Sequence, residues 1–154
     1  MNYQRNYQRQ TLAGKNPVEL IVALYDGMIR FLYEAIAAVE RGDVSARRIA
    51  VKRVFDILMH LQSRLRMDVG GTSAQSLSEF YAAIFALCLE GSRLASVARL
   101  KEAIACIRDV REAWAVAARD PEVLALLERE AQGPVMSRSL VAPEAEMAGT
   151  RWSA

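Results

Sequence analysis

The sequence is poor in the residues that build metal sites, disulfide frameworks and many active sites. Its 154 residues include two cysteines, one histidine and four prolines, and its aromatic residues are two Trp, five Tyr and four Phe. The longest unbroken apolar run, residues 80–89, is about half of the roughly 20 residues that a membrane-spanning helix needs. The first ten residues, MNYQRNYQRQ, lack the apolar segment of a signal peptide. We therefore expect a cytoplasmic protein without membrane insertion.

The charge is nearly balanced, with 20 Lys and Arg against 18 Asp and Glu. A formal charge of +2 is too small for a protein that coats nucleic acid. The hydrophobic fraction of 53% is too high for a disordered chain, and the length suits one domain.

The residues that are abundant favour helix. The chain has 25 Ala and 16 Leu, both strong helix formers, and no proline from residue 18 to residue 120. No alternating pattern of β-branched and polar residues stands out. The sequence therefore predicts an all-α fold.

Caps, glycines and periodicity divide the chain into four long helices and one short one. Asn16-Pro17 is a helix start, and Gly42 followed by Asp43 indicates a stop and a new cap. The predicted helices span residues 17–41, 44–67, 74–96, 97–118 and 121–130. Because the links are short, the simplest arrangement is an antiparallel four-helix bundle. We expect one domain over residues 17–131, a mobile N-terminal arm over 1–16 and a disordered tail over 132–154.

The apolar stripes predict which side chains are buried. The first helix carries one stripe and the third helix another. The predicted stripes are Leu20, Leu24, Met28, Phe31, Ala35 and Val39 on the first helix, and Leu77, Phe80, Tyr81, Ile84, Phe85, Cys88 and Leu94 on the third.

Signals for catalysis are weak. Cys88 and Cys106 lie within apolar helical patterns and belong to no cluster of metal ligands. The single histidine, His60, has Ile57 three residues before it, where a di-metal bundle would carry Glu. We therefore predict a protein that is not an enzyme and has no cofactor, metal or catalytic residue.

The second helix is basic. It carries six cationic residues and only two acidic ones, Asp43 and Asp56. The cationic residues are Arg47, Arg48, Lys52, Arg53, Arg64 and Arg66. A solvated outer face is the common explanation, and the alternatives are a nucleic-acid site or an acidic protein partner.

A glycine interrupts the first helix. Gly27 costs about 1 kcal/mol relative to Ala and has Leu20, Leu24 and Phe31 as its neighbours by helical spacing. A notch on an apolar face indicates either tight packing within the bundle or a groove for a partner. Gly91 presents the same choice on the third helix.

The N-terminal segment combines aromatic and polar residues. Tyr3 and Tyr7 are one helical turn apart, and Leu12 follows them. Amphipathic aromatics on a short polar arm suit reversible docking, on the bundle or on a partner.

The order and spacing of these motifs resemble the FliS family of flagellar secretion chaperones. The first part of the resemblance is Tyr7, then the Asn-Pro-Val-Glu-Leu of residues 16–20, then the Leu-Tyr-Asp-Gly of residues 24–27. Helix breaks at residues 42–43 and 70–71 and the segments around residues 65–67, 77–84 and 111–114 follow in the family's order. The resemblance covers about residues 3–118.

The third helix departs from the family pattern. Ala82 and Ala83 stand where the family usually has Asp-Tyr, and Phe85 and Ala86 replace its usual pair of arginines. Thr72 also differs from the family, as does the residue after it. The surface of this helix is therefore altered.

The resemblance implies a cytoplasmic helical bundle that binds the disordered C-terminal region of flagellin. The bound segment would become helical, premature polymerisation would be blocked, and the complex would go to the flagellar type III export gate. A flagellin-regulating protein is a further expected partner. The alternative is a regulatory bundle that binds nucleic acid through its second helix. The predicted partner-binding residues are Tyr7, Leu12, Leu20, Leu24, Tyr25, Gly27 and Phe31.

Overall fold

A computed structural model describes residues 16–65, 71–126, 128 and 129. These residues form four long helices: α1 (Pro17–Glu40), α2 (Val44–Ser63), α3 (Gly71–Arg93) and α4 (Val97–Ala117). Residues 121–126 and 128–129 are also helical, and the described part of the chain contains no strand. The all-α prediction is confirmed.

Both ends of α1 follow the sequence signals. The Oδ1 of Asn16 accepts from the Glu19 N–H at 2.8 Å, and the Asn16 N–H donates to Oε2 of Glu19 at 3.3 Å, which is a capping box. Gly42 has φ +72°, the left-handed conformation that favours glycine after a helix. Asp43 then caps α2 by accepting from the Ala46 N–H at 3.0 Å. The α1–α2 link is therefore as predicted.

The second link differs from its prediction. The α2 helix ends at Ser63 instead of residue 67, and α3 begins at Gly71 instead of residue 74. A glycine costs less in the first turn than in the interior, because the first N–H groups have no intrahelical partner anyway. Gly71 therefore opens a helix where a break was expected.

The α3–α4 turn lies where the sequence marked it most weakly. Ala95 has φ +49°, and the Ser96 N–H donates to the Gly91 carbonyl at 2.8 Å across the end of α3. Ser96 Oγ accepts from the Arg99 N–H at 3.2 Å and so caps α4. The predicted turn near Ser96 is confirmed, without the usual glycine.

Neighbouring helices run antiparallel. Between α1 and α2, Gly27 lies opposite Ile57. Between α2 and α3, Gln62 donates to Ser78 at 2.7 Å, while Phe55 contacts Phe85. Between α1 and α4, Arg111 pairs with Asp26 and Arg108 donates to Tyr33, so residues of rising number in α4 meet residues of falling number in α1. The four helices therefore form the antiparallel bundle that the short links predicted.

Side chains from all four helices form the core. Its largest fully buried members are Tyr25, Met28, Leu32, Val54, Ile84, Cys88, Leu100 and Ile107. In α1 the core face only partly coincides with the predicted stripe: Met28 and Ala35 of that stripe are fully buried, but positions beside it are buried as well. Tyr25, Leu32 and Ile36 are buried, whereas Leu24 and Phe31 are only partly buried.

Two side chains predicted to be buried on the third helix are exposed. Phe85 is 41% exposed and Leu94 is 54% exposed. The core face of α3 is centred on Tyr81, Ile84 and Cys88, so Phe85 lies one residue further around the helix. Leu94 lies just beyond the end of the helix.

Backbone contacts divide the described residues into two compact units, with the boundary between Val116 and Ala117. The predicted N-terminal arm up to residue 15, the predicted domain end at residue 131 and the predicted tail lie outside the described residues. No described helix combines the length and the apolar character needed to cross a membrane.

The two helical glycines differ in the space around them, and this gives a stability prediction. A Cβ at Gly91 would lie 2.9 Å from Cδ2 of the fully buried Leu100 and 3.3 Å from the Arg99 Cβ. A Cβ at Gly27 would meet only the end of the Ile57 side chain, at 3.3 Å. Overpacking costs about 1–3 kcal/mol, against a gain in helix propensity of about 1 kcal/mol.

We therefore expect Gly91→Ala to lower the free energy of unfolding, and Gly27→Ala to leave it within about 1 kcal/mol of the wild type. Urea unfolding of the two variants measures the difference. Equal stability of the two variants would contradict the close contact at Leu100.

Candidate partner-binding surface

The Leu-Tyr-Asp-Gly signature of residues 24–27 lies in the second turn and third turn of α1, and its tyrosine is part of the core. Tyr25 is fully buried. Its hydroxyl donates to the Tyr81 hydroxyl at 2.9 Å and accepts from Nε1 of Trp114 at 3.2 Å. The rings of Tyr25 and Tyr81 meet edge to face with centroids 6.3 Å apart. Tyr25 therefore links α1 to α3 and α4.

Burial changes the acidity of these hydroxyls and of a neighbouring thiol. Burial raises the pKa of Tyr25 and of Tyr81 above the usual 10.0. Burial also raises the pKa of Cys88 from 9.0 to about 12. All three groups are therefore neutral in the native bundle at neutral pH.

These raised pKa values predict that the bundle is destabilised by alkali. Above about pH 9 the unfolded chain loses the Cys88 proton while the native state keeps it, so rising pH favours unfolding. The two tyrosines add to the loss from about pH 10. Urea unfolding at a series of pH values from about 8 to about 11 measures this fall in the free energy of unfolding. In Cys88→Ala, the free energy of unfolding should begin to fall only near pH 10, where the tyrosines ionise in the unfolded chain. If it begins to fall at the same pH as in the wild type, the Cys88 thiol is not the cause.

Asp26 of the signature forms an ion pair with α4. Nε and Nη2 of Arg111 donate to its two carboxylate oxygens, the second at 3.3 Å. The hydrogen bond to Asp26 is the main cause of a raised Arg111 pKa. Because Asp26 is exposed, this pair contributes about 1 kcal/mol at most. It joins the exposed sides of α1 and α4.

Gly27 faces α2. The nearest side-chain atom to its missing Cβ is Cδ1 of Ile57. The notch is therefore filled within the bundle, and it brings α1 and α2 close together.

By helical spacing, the remaining predicted α1 residues share the face on which Gly27 and Phe31 meet α2. Leu20, Leu24 and Phe31 are all partly exposed. The guanidinium groups of Arg30 and Arg53 lie 5.0 Å and 5.4 Å from the Phe31 ring centroid, at cation–π distance. We call the surface formed by Leu20, Leu24 and Phe31 the α1–α2 seam. The structure brings these three residues to one face, apart from the buried Tyr25.

The other predicted contacts, Tyr7 and Leu12, lie outside the described residues. His60 is exposed on α2. Within residues 16–65 and 71–126, no group of three or more His, Cys, Asp or Glu side chains could hold a metal ion.

Sequence reasoning missed a second surface, between α2 and α3. It emphasised α1, although large apolar side chains are exposed on the two following helices. They include Ile49, Met59, Phe85 and Leu89. The available signal in the sequence was the apolar run of residues 80–89, which is longer than the core face of α3 needs and includes the exposed Phe85 and Leu89.

Comparison with known proteins identifies the family of this chain. The model of the family described as "Flagellar protein FliS" matches residues 1–121. The chain belongs to the FliS family. The match includes all four long helices and the three links between them.

Several curated FliS proteins are similar to this chain. The flagellar secretion chaperone FliS of Campylobacter jejuni is 32% identical over 114 residues, which are 73% of this chain and 89% of the relative. The FliS chaperone of Vibrio cholerae is 25% identical over 103 residues, 67% of this chain and 76% of the relative. That of Salmonella typhimurium is 29% identical over 100 residues, 64% of this chain and 74% of the relative.

Proposed function

We propose that this protein is a cytoplasmic secretion chaperone that binds the disordered C-terminal region of flagellin. The observation that carries the proposal is the family match over residues 1–121, together with relatives named flagellar secretion chaperones. Membership of a chaperone family also supports a role that is not enzymatic.

The bundle has surface suited to this task. A disordered segment that folds on binding loses conformational freedom, and it needs apolar contact area to offset that loss. The α1–α2 seam offers Leu20, Leu24 and Phe31, each partly exposed. We assign the first contact with flagellin to this seam.

The contribution of each signature residue follows from its position. Tyr25 holds the helices together, and Gly27 brings α2 close to α1. In this proposal neither residue touches flagellin. Both hold α1 and α2 in the positions that form the α1–α2 seam, which includes Leu24.

The N-terminal arm would control access to this surface. Tyr7 and Leu12 are candidates to cover the seam while the chaperone is empty, which would limit aggregation through exposed apolar area. On binding of flagellin, the released arm could contact the flagellar type III export gate. A flagellin-regulating protein is a further partner in this proposal.

The proposal is tested with the full chain and a synthetic peptide of the flagellin C-terminal region from the same genome. We expect a one-to-one complex by calorimetry and a gain of helix by circular dichroism on mixing, because the peptide folds as it binds. A scrambled peptide of the same composition is the control. No complex at tens of micromolar would contradict the proposal.

The role of the arm gives a separate prediction. Tyr7→Ala should leave the thermal unfolding temperature nearly unchanged while altering the affinity for the flagellin peptide. Gln8→Ala is the matched control on the same segment and should leave the affinity unchanged. A large loss of stability in Tyr7→Ala would instead identify Tyr7 as a core residue.

A further inference from the structure

A groove lies between the N-terminal half of α2 and the C-terminal half of α3, with a volume of about 380 Å³. Its cationic residues are Arg47, Arg48, Lys52 and Arg93. Its apolar residues include Phe55 and Leu89, and none of the described residues that line it is acidic. We call it the basic groove.

The positive charge of the basic groove is not neutralised by the described residues. None of its four cations takes part in the ion pairs of residues 16–65 and 71–126. Nε of Arg47 is shielded from solvent and has no hydrogen-bond partner in that part of the chain. A buried donor without an acceptor is unfavourable, and a carboxylate that entered the groove would satisfy it.

The floor of the groove is apolar and accessible. Leu89 is 49% exposed, and Phe55 packs on Phe85 with ring centroids 4.4 Å apart. On α2, Arg48, Lys52 and Phe55 are spaced as one helical stripe, and Phe85, Leu89 and Arg93 form the facing stripe on α3. Because the helices are antiparallel, both stripes place their cations at the same end. The groove therefore has a cationic end and an apolar end.

This combination selects one kind of occupant. A small anion would leave the floor of Phe55 and Leu89 exposed, and an uncharged apolar helix would leave the cations unpaired. A nucleic-acid strand would meet only a short cationic segment of a nearly neutral chain. Carboxylates next to aliphatic side chains on a helix match both ends of the groove.

We propose that the basic groove docks an acidic amphipathic helix of a second partner protein. This site goes beyond the proposed flagellin binding and does not rest on it. The α1–α2 seam meets α2 at Arg53 and Ile57, which lie on a different face of that helix from Arg48, Lys52 and Phe55. The chaperone would then hold two partners at once.

The test uses the full chain and a synthetic helical peptide of about 14 residues, roughly 21 Å long, with Leu along one stripe and Glu beside it. We expect saturable binding by fluorescence anisotropy. Replacing every Glu of the peptide by Gln should weaken binding at least tenfold. Arg48→Glu with Lys52→Glu should weaken it at least tenfold, and Leu89→Asp should weaken it as well.

A matched control distinguishes an effect of the groove residues on affinity from an effect of the net charge of the protein. Lys101→Glu with Arg119→Glu makes the same change in net charge outside the groove and should leave the affinity unchanged. Equal weakening by both pairs, equal binding of the Gln peptide or no binding at all would overturn the proposal. Circular dichroism of each variant confirms that it is folded.

Binding and competition experiments with other ligands test whether the groove has a different occupant. Tighter binding of an oligonucleotide or of anionic phospholipid vesicles through Arg48 and Lys52 would overturn the proposal in favour of those ligands. Self-association abolished by the same variants would assign the groove to a second copy. Displacement of the acidic peptide by the flagellin peptide would make the groove part of the flagellin surface, whereas simultaneous binding of both peptides supports the proposal. If flagellin fails to bind while the acidic peptide binds, only the proposed function is contradicted.

Discussion

Tyr25→Ala is expected to lower the free energy of unfolding by about 3–5 kcal/mol, because it removes a large buried ring. Small domains have a total stability of about 5–15 kcal/mol, so the variant should be partly unfolded near physiological temperature. Urea unfolding followed by far-ultraviolet circular dichroism measures this effect. The loss of binding by Tyr25→Ala should be proportional to its loss of folded protein.

Tyr25→Phe separates the hydroxyl from the ring. It keeps the packing but leaves the Tyr81 hydroxyl and the Trp114 N–H without Tyr25 as a partner, at a cost of about 1–3 kcal/mol. Combining it with Tyr81→Phe should cost less than the sum of the single changes, because the two hydroxyls interact directly. If Tyr25→Ala were as stable as the wild type yet unable to bind flagellin, Tyr25 would be a direct contact instead of a core residue.

The second large effect concerns the α1–α2 seam. Leu20→Ala with Phe31→Ala should weaken binding of the flagellin peptide at least tenfold, because each side chain loses apolar contact area with the partner. Isothermal titration calorimetry with the full chain measures the affinity. Both residues are partly exposed, so the bundle should remain folded.

Tyr33→Ala is the matched control on the same helix. Tyr33 is 45% exposed, and its hydroxyl accepts from Nη2 of Arg108, so it faces α4 instead of α2. Its removal should leave flagellin affinity within about twofold of the wild type. Equal weakening by Tyr33→Ala and by the seam variant would move the flagellin surface away from the seam.

The fold could be predicted because local signals and long-range packing agree. Asn16-Pro17 and Gly42-Asp43 each satisfy the free backbone groups at a helix end, so their positions fix the ends of α1 and the start of α2. At Gly71 and Ala95, the packing of the helices decides where α3 begins and ends, and the local preference of the residue type does not. A glycine opens α3, and an alanine takes the left-handed position after it.

The site was harder to predict from one sequence. A stripe such as Leu24 and Phe31 marks an apolar helix face, but a helix packed against three others has a core face wide enough to include Tyr25 and Leu32 as well. Whether Gly27 faces a partner or Ile57 depends on the rotation of α1, which periodicity fixes only to about one residue. Phe85 and Leu89 form a surface only when α3 is placed beside α2.

Hydrogen–deuterium exchange with and without the flagellin peptide is the most direct test of flagellin binding at the α1–α2 seam, because it reports both binding and its location. At saturating peptide, we expect added protection of the amides over residues 20–31 of α1 and residues 53–57 of α2. Protection confined to residues 85–93, or no change anywhere in the chain, would contradict it.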